Sequence, residues 1–197
     1  MLNQDIECPH EREISRKMAC VMEAFKYVVV LASATDIERL AAIKEATKKA
    51  HKSMYICSGF MQKTMQIFTR REAELSKGLF DFHPHLATLD DAKIKALKQK
   101  GFVLIAGPRQ QPFVESLCYN FDPSEVLLIY SSWDGYYKNP AQVKLNPSYK
   151  SFRDAFPNVV DIHTSGHAER RTIEKVINII NPKEVICIHK DADASLY

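Results

Sequence analysis

The chain has 197 residues, which is long enough for one sizeable α/β domain, because single hydrophobic cores grow to roughly 250 residues before a chain splits. Apolar residues make up 46% and charged residues 26%, ordinary globular values, and no run of about 18 apolar residues is present to cross a bilayer. Lys and Arg outnumber Asp and Glu by 27 to 24, an excess too small to indicate nucleic-acid binding by itself.

The cysteines and the first residues indicate the compartment. The five cysteines are odd in number, widely scattered and never in a CxxC pair, which fits a reducing environment. The stretch MLNQDIECPHEREISRK has neither an apolar h-region nor a small-residue cleavage site, so it is not a signal peptide. We therefore expect a soluble cytoplasmic protein with no membrane partner.

Apolar runs separated by helical patterns predict the fold. In chain order, the predicted strands are 27–32, 53–58, 102–107, 125–132, 158–163 and 184–189. Helices are predicted after residue 35 and over residues 60–75, 90–100, 111–121 and 168–180. Because the strands lack polar alternation and are separated by helices, we expect a mostly parallel sheet with helices on both faces, a doubly wound Rossmann- or flavodoxin-like α/β fold.

Capping residues predict two of the helix boundaries. Thr35 and Glu38 have the capping-box spacing, so a helix is predicted to begin there. Gly101 is expected in the C′ position that ends the helix over residues 90–100.

The segment 133–150 has a different character. It carries a glycine, two Asn-Pro pairs and few aliphatic residues, so we expect an irregular loop that is functional or faces a partner. Its aromatic residues Trp133, Tyr136 and Tyr137 either stack on nucleic-acid bases or pack against a neighbouring domain.

The sequence H-T-S-G-H-A, residues 163–168, joins a predicted strand to a predicted helix. Ser165 and Gly166 lie where free backbone N–H groups favour an anion, and His167 can add a hydrogen bond or a proton. The alternative is a plain Ser-Gly turn with an incidental histidine. His189, at the end of the last predicted strand, is likewise either a metal ligand or a polar strand terminus.

The closing pattern, H-T-S-G-H-A, a helix and then N-P-K-E-V-I-C-I-H-K-D, resembles the last conserved part of the β-CASP metallo-β-lactamase nucleases. That group includes ribonuclease J and the pre-mRNA 3′-end processing endonuclease. YVVVLASATDIERL is similar to the strand-turn-helix that opens the β-CASP insertion, and IYSSWDGY to a segment near its end. The resemblance implies a β-CASP domain over residues 1–157 and, over residues 158–197, a returning strand-helix-strand segment of the metallo-β-lactamase domain.

The resemblance also implies roles for individual residues. His167 would contact the scissile phosphate and assist proton transfer as the catalytic residue, while Ser165, Gly166 and His163 would help to hold the phosphate. His189 would complete a zinc site, where the metal polarises the phosphodiester and supplies a metal-bound hydroxide. The implied partner is RNA.

Three departures from the family pattern change the expectation. First, this sequence lacks the family's main metal ligands, which are an H-x-H-x-D-H motif and a later histidine and aspartate. Second, Cys187 and Asp191 replace the usual proline and glutamate. Third, the chain stops at Tyr197, soon after the last predicted strand. A catalytic zinc needs about three protein ligands, which this motif does not supply. We therefore expect a recognition portion of a longer zinc-dependent enzyme that binds no zinc tightly and is inactive without its missing metallo-β-lactamase domain.

Two other hypotheses stay open. In the first, the chain is a stand-alone β-CASP module that binds RNA or pairs with a separate catalytic chain. In the second, it is a degenerate relative that only mediates assembly. An in-frame H-x-H-x-D-H in the DNA immediately upstream would leave the stand-alone hypothesis without support. Without the hydrolase sheet, strands 158–163 and 184–189 either join the β-CASP sheet or expose apolar surface, which predicts self-association.

Overall fold

The chain divides into two compact units in the computed structural model, which describes residues 9–75, 78–165, 168 and 170–186. Residues 10–164 form the larger unit, and Pro9, Ser165, Ala168 and 170–186 are the described residues of the second. The predicted site residues Gly166, His167 and His189 lie outside the described residues, as do Cys187 and Asp191.

The larger unit is built on a six-stranded parallel sheet with the strand order β3-β2-β4-β1-β5-β6. The strands are β1 (Tyr27–Leu31), β2 (Met54–Ile56), β3 (His85–Leu86), β4 (Phe102–Ala106), β5 (Val126–Tyr130) and β6 (Val159–Asp161). At the centre, Val29 of β1 lies opposite Leu104 on one side and Leu128 on the other. Strands β1, β4 and β5 are buried along their whole length, which explains their continuous apolar sequence.

Helices cover both faces of this sheet. The larger unit contains α1 (Glu11–Ala24), α2 (Ile37–Lys49), α3 (Gly59–Arg70), α4 (Glu72–Leu75), α5 (Asp91–Lys100), α6 (Gln111–Cys118), α7 (Gly135–Lys138), α8 (Pro140–Leu145) and α9 (Pro147–Asp154). Val28 and Val30 share a core with residues of α1, α2 and α3, whereas Val29 and Leu31 share another with residues of α5, α6 and α9. The predicted doubly wound α/β fold is confirmed.

Two helix boundaries test the predicted caps. The N-cap predicted at Thr35 was wrong by one residue, because Asp36 is the N-cap of α2. Its carboxylate accepts a hydrogen bond from the Arg39 backbone N–H at 3.1 Å. The Thr35 hydroxyl instead lies 2.9 Å from that of Ser33. The prediction for Gly101 is confirmed: its φ is 71° and its N–H donates to the Leu97 carbonyl at the end of α5.

The prediction that residues 133–150 form an irregular loop was wrong, because α7, α8 and the start of α9 occupy this segment. The two Asn-Pro pairs begin helices instead of preventing them, since proline suits the first helical turn. At the start of α8, the Asn139 side chain accepts hydrogen bonds from the backbone N–H groups of Ala141 and Gln142.

The last predicted elements are described in part. The strand predicted over residues 158–163 joins the sheet as β6, beside β5. In the second unit, α10 spans Arg170–Ile180, and Ala168, where the helix was predicted to begin, is not helical. Residues 187–189 of the last predicted strand lie outside the described residues. Across the part of the chain that the structure describes, no helix is both long and apolar enough to cross a membrane.

Candidate functional site at the carboxyl edge of the sheet

The candidate site lies where the carboxyl ends of β1, β5 and β6 meet. From β1 the chain leaves through α2 toward β2, and from β5 it leaves through α7, α8 and α9 toward β6, in the opposite direction. Neighbouring parallel strands whose connections diverge in this way leave a crevice at their carboxyl ends, where ligands bind in doubly wound folds. Here the edge carries the exposed hydroxyls of Ser33 and Thr35, and the side chains of Ser131, Trp133 and His163.

Arg39, near the start of α2, is the centre of this edge although its side chain is only 1% exposed. A guanidinium has five N–H donors, and each of those in Arg39 has an acceptor. Nε donates to the Glu11 carboxylate at 2.9 Å. Nη2 donates to the same carboxylate at 2.8 Å and to the Thr164 carbonyl at 3.1 Å. Nη1 donates to the Ser131 hydroxyl at 2.6 Å and to His163 Nδ1 at 3.1 Å.

The pair between Arg39 and Glu11 is two-pronged, with Nε and Nη2 donating to the carboxylate. Glu11 is the first residue of α1, so the ion pair joins the start of that helix to α2. The same guanidinium reaches the residues that follow β5 and β6. Arg39 thus fixes four chain segments to one another, and because all its donors are used, it has none left for a ligand.

His163 is half-buried just beyond β6, and Arg39 sets its tautomer. An arginine only donates, so Nδ1 of His163 must accept and the neutral ring carries its proton on Nε2. Burial lowers the pKa of His163 from its usual value, and the positive charge of Arg39 lowers it further, against the opposing carboxylates of Asp36, Glu11 and Asp134. Near neutral pH the ring is therefore uncharged and offers one N–H donor.

The predicted phosphate-binding residues have different outcomes. His163 belongs to the Arg39 cluster, and Thr164, which directly precedes Ser165, is held there by its carbonyl. The Thr164 hydroxyl is buried and has no hydrogen-bond partner in the part of the chain that the structure describes. Ser165 is half-buried and belongs to the second unit. The predictions for Gly166, His167 and His189 fall outside the described residues.

The described residues do not fit a zinc site. Among them, no group of three or more His, Cys, Asp or Glu side chains is close enough together to hold a metal ion. The Nδ1 atom of His163 already accepts a hydrogen bond from Arg39. The predicted ligand His189 lies outside the described residues.

Arg39 and Glu11 were not predicted from the sequence. A signal for Arg39 was present, because it precedes Ile43 by four residues and Ala46 by seven, so it lies on the buried stripe of α2. A charged residue on that stripe requires a partner in the interior. The identity of the partner depends on the sheet order, which brings β1, β5 and β6 side by side.

Comparison with known proteins bears on the segment that begins just before β6. No curated protein matches the chain significantly. Residues 157–197 match the family model of the Zn-dependent metallo-hydrolase RNA specificity domain. The match includes β6, the Arg39-bound residues His163 and Thr164, and α10. It supports zinc as the cofactor of a complete enzyme, and it indicates that the closing segment is an RNA-specificity module of the zinc-dependent metallo-hydrolases.

Proposed function

We propose that this chain is the substrate-recognition, β-CASP portion of a zinc-dependent RNA-processing metallo-hydrolase, and that the carboxyl edge of its sheet binds an RNA phosphate. The match of residues 157–197 to an RNA specificity domain supports RNA as the substrate class. The doubly wound fold supports the position, since ligands bind such folds at the carboxyl ends of a diverging strand pair, here β1 and β5.

The hydrogen bond from Arg39 Nη1 to His163 Nδ1 is the observation that carries the proposal. It leaves His163 with a fixed Nε2–H, and phosphate oxygens accept hydrogen bonds from such donors. Arg39 itself is buried and has used its donors, so we assign the contact with the phosphate to the half-buried His163. The low pKa of His163 means that this donor acts as a neutral hydrogen-bonding group near neutral pH.

The next residues of the matched segment have roles that rest on the family resemblance. We assign the Ser165 hydroxyl and the Gly166 backbone N–H to phosphate binding, His167 to proton transfer, and His189 to zinc in the complete enzyme. Because the described residues offer no zinc site, the chain alone is proposed to bind RNA without cleaving it. A stand-alone β-CASP module that binds RNA or assembles with a catalytic chain is the alternative.

The test is binding of a labelled single-stranded RNA, followed by fluorescence anisotropy, with His163→Ala and Ser165→Ala. Each removes one hydrogen-bonding group, so we expect a loss of about 1–2 kcal/mol, or about 5- to 30-fold in Kd. His83→Ala is the matched control, because this exposed histidine precedes β3, which is the edge strand at the other end of the sheet from β6. Wild-type affinity in both site variants, with far-ultraviolet circular dichroism unchanged, would contradict the proposal.

A further inference from the structure

Trp133 follows β5 at the carboxyl edge, two residues beyond the Ser131 hydroxyl that Arg39 binds. It is the single tryptophan of the 197-residue sequence. Strands β5 and β6 pair in parallel with Tyr130 opposite Asp161. Trp133 and His163 therefore follow neighbouring strands at the same edge of the sheet.

The indole of Trp133 is held in place although 39% of the residue is exposed. Gly135 lies against the ring, and any Cβ at that position would overlap the indole carbons. Tyr136 contacts it edge to face, with ring centroids 5.4 Å apart. The Trp133 carbonyl accepts a hydrogen bond from the Tyr130 hydroxyl at 3.3 Å. A large apolar ring that is both fixed and exposed can bind a flat partner at little cost in conformational entropy.

The aromatic contacts continue from Trp133 toward β4. Tyr136 stacks on Tyr149 with centroids 4.2 Å apart and an interplanar angle of 16°. Tyr149 lies in α9, which contacts the short helical turn that carries Arg109, exposed just after β4. In the described part of the chain Arg109 has no ion-pair partner. The edge thus combines a row of rings with an unpaired cation.

We propose that Trp133 is a stacking platform for a base of single-stranded RNA bound across this edge, which rests on the proposed function of the same site. Single-stranded nucleic acids are bound by aromatic side chains that stack on bases and by basic groups that follow the phosphates. Trp133 supplies the first and Arg109 the second. The base stacks on Trp133 while His163 holds a phosphate of the same strand.

The test uses the emission of Trp133, which is the sole tryptophan signal of the chain. The full chain is titrated with oligoadenylate of about ten nucleotides, within the range that such sites cover, and with an abasic strand of equal length. An end label reports binding of each strand independently by anisotropy. We expect oligoadenylate to quench the Trp133 emission and the abasic strand to leave it unchanged. Trp133→Ala should weaken oligoadenylate binding by about 5- to 150-fold, the equivalent of one stacked base, and should leave abasic-strand binding unchanged.

Tyr119→Ala is the matched control. Tyr119 is 92% exposed at the end of α6, which runs back toward the amino edge of the sheet, so its loss should change neither affinity. If circular dichroism shows that Trp133→Ala is poorly folded, the stacking role is judged from the wild-type chain alone, by comparing its affinity and its emission change with oligoadenylate and with the abasic strand. Equal binding of both strands without a change in Trp133 emission overturns the stacking role and leaves phosphate recognition intact. Failure of the wild-type chain to bind either strand overturns both proposals.

Discussion

Replacing Arg39 with alanine is expected to lower the free energy of unfolding of the larger unit by about 3–5 kcal/mol, the usual cost of breaking a buried ion pair. The change leaves two buried acceptors without donors, the Ser131 hydroxyl and the Thr164 carbonyl, at about 1–3 kcal/mol each. The half-buried Nδ1 of His163 also loses its donor, whereas the Glu11 side chain is 26% exposed and regains some water. Such a loss is a large fraction of the roughly 5–15 kcal/mol that stabilises a typical domain.

The measurement is urea unfolding followed by circular dichroism. With a slope of about 2 kcal/mol per molar, the Arg39→Ala midpoint should fall by about 1.5–2.5 M. Arg71→Ala is the control, since Arg71 forms an exposed pair with Glu74 and its loss should cost less than about 1 kcal/mol. Because the charge of Arg39 lowers the pKa of His163, an NMR titration of a folded Arg39 variant should give a higher value. A stability loss below about 1 kcal/mol would refute the central role of Arg39.

His163→Asn, which keeps an acceptor for Arg39 but does not titrate, should remove one component of acid destabilisation. Because the pKa of His163 is lower in the folded state, the unfolded chain takes up the proton at a higher pH than the folded chain. Wild-type stability therefore falls as pH drops below about 6.5, by at most about 1.4 kcal/mol per pH unit. Unchanged pH dependence of urea unfolding in the variant would contradict this. Gly101→Ala should cost about 1–3 kcal/mol, because φ is 71° and a Cβ would overlap the Lys26 carbonyl, whereas Gly59→Ala has open space and should be nearly neutral in thermal melts. Metal analysis of the purified chain should give far less than one zinc per chain, and stoichiometric, tightly held zinc would contradict an incomplete site. Light scattering at micromolar concentration should detect self-association, which a monomer throughout would exclude.

Much of the fold follows from the sequence because its central strands carry a strong local signal. The runs YVVVL, FVLIA and VLLIY are buried on both faces, so they contain no polar alternation and are recognised without any tertiary information. Segment 133–150 was misjudged because Asn-Pro breaks a preceding helix and begins a following one with equal ease. The deciding factor is tertiary packing, since α7, α8 and α9 are short helices that contact one another.

The candidate site was predictable in part, for a related reason. His163, which belongs to the local motif H-T-S-G-H-A, lies in the Arg39 cluster, whereas Arg39 itself binds Ser131 and His163, which are 92 and 124 positions away in sequence. A single sequence indicates that a charge on a buried helix stripe needs partners, but it does not identify them. The strand order supplies them, because β1, β5 and β6 are adjacent only after the chain has crossed the sheet.

For the proposed RNA site, the burial of Arg39 also decides how a phosphate would be bound. A free arginine here would bind a phosphate directly and make affinity strongly salt-dependent. Arg39 instead neutralises Glu11 and orients His163, so the contact available to the phosphate is a neutral hydrogen bond of fixed direction. Stacking on Trp133 is likewise insensitive to salt, and the exposed positive charge assigned to the strand is that of Arg109. The affinity of this chain for RNA should therefore fall only modestly between about 50 and 200 mM salt. A plot of the logarithm of the binding constant against the logarithm of the salt concentration should have the slope expected for about one contacted phosphate, instead of the roughly six to ten of a strongly basic protein. A steep slope would show that other cations bind the strand.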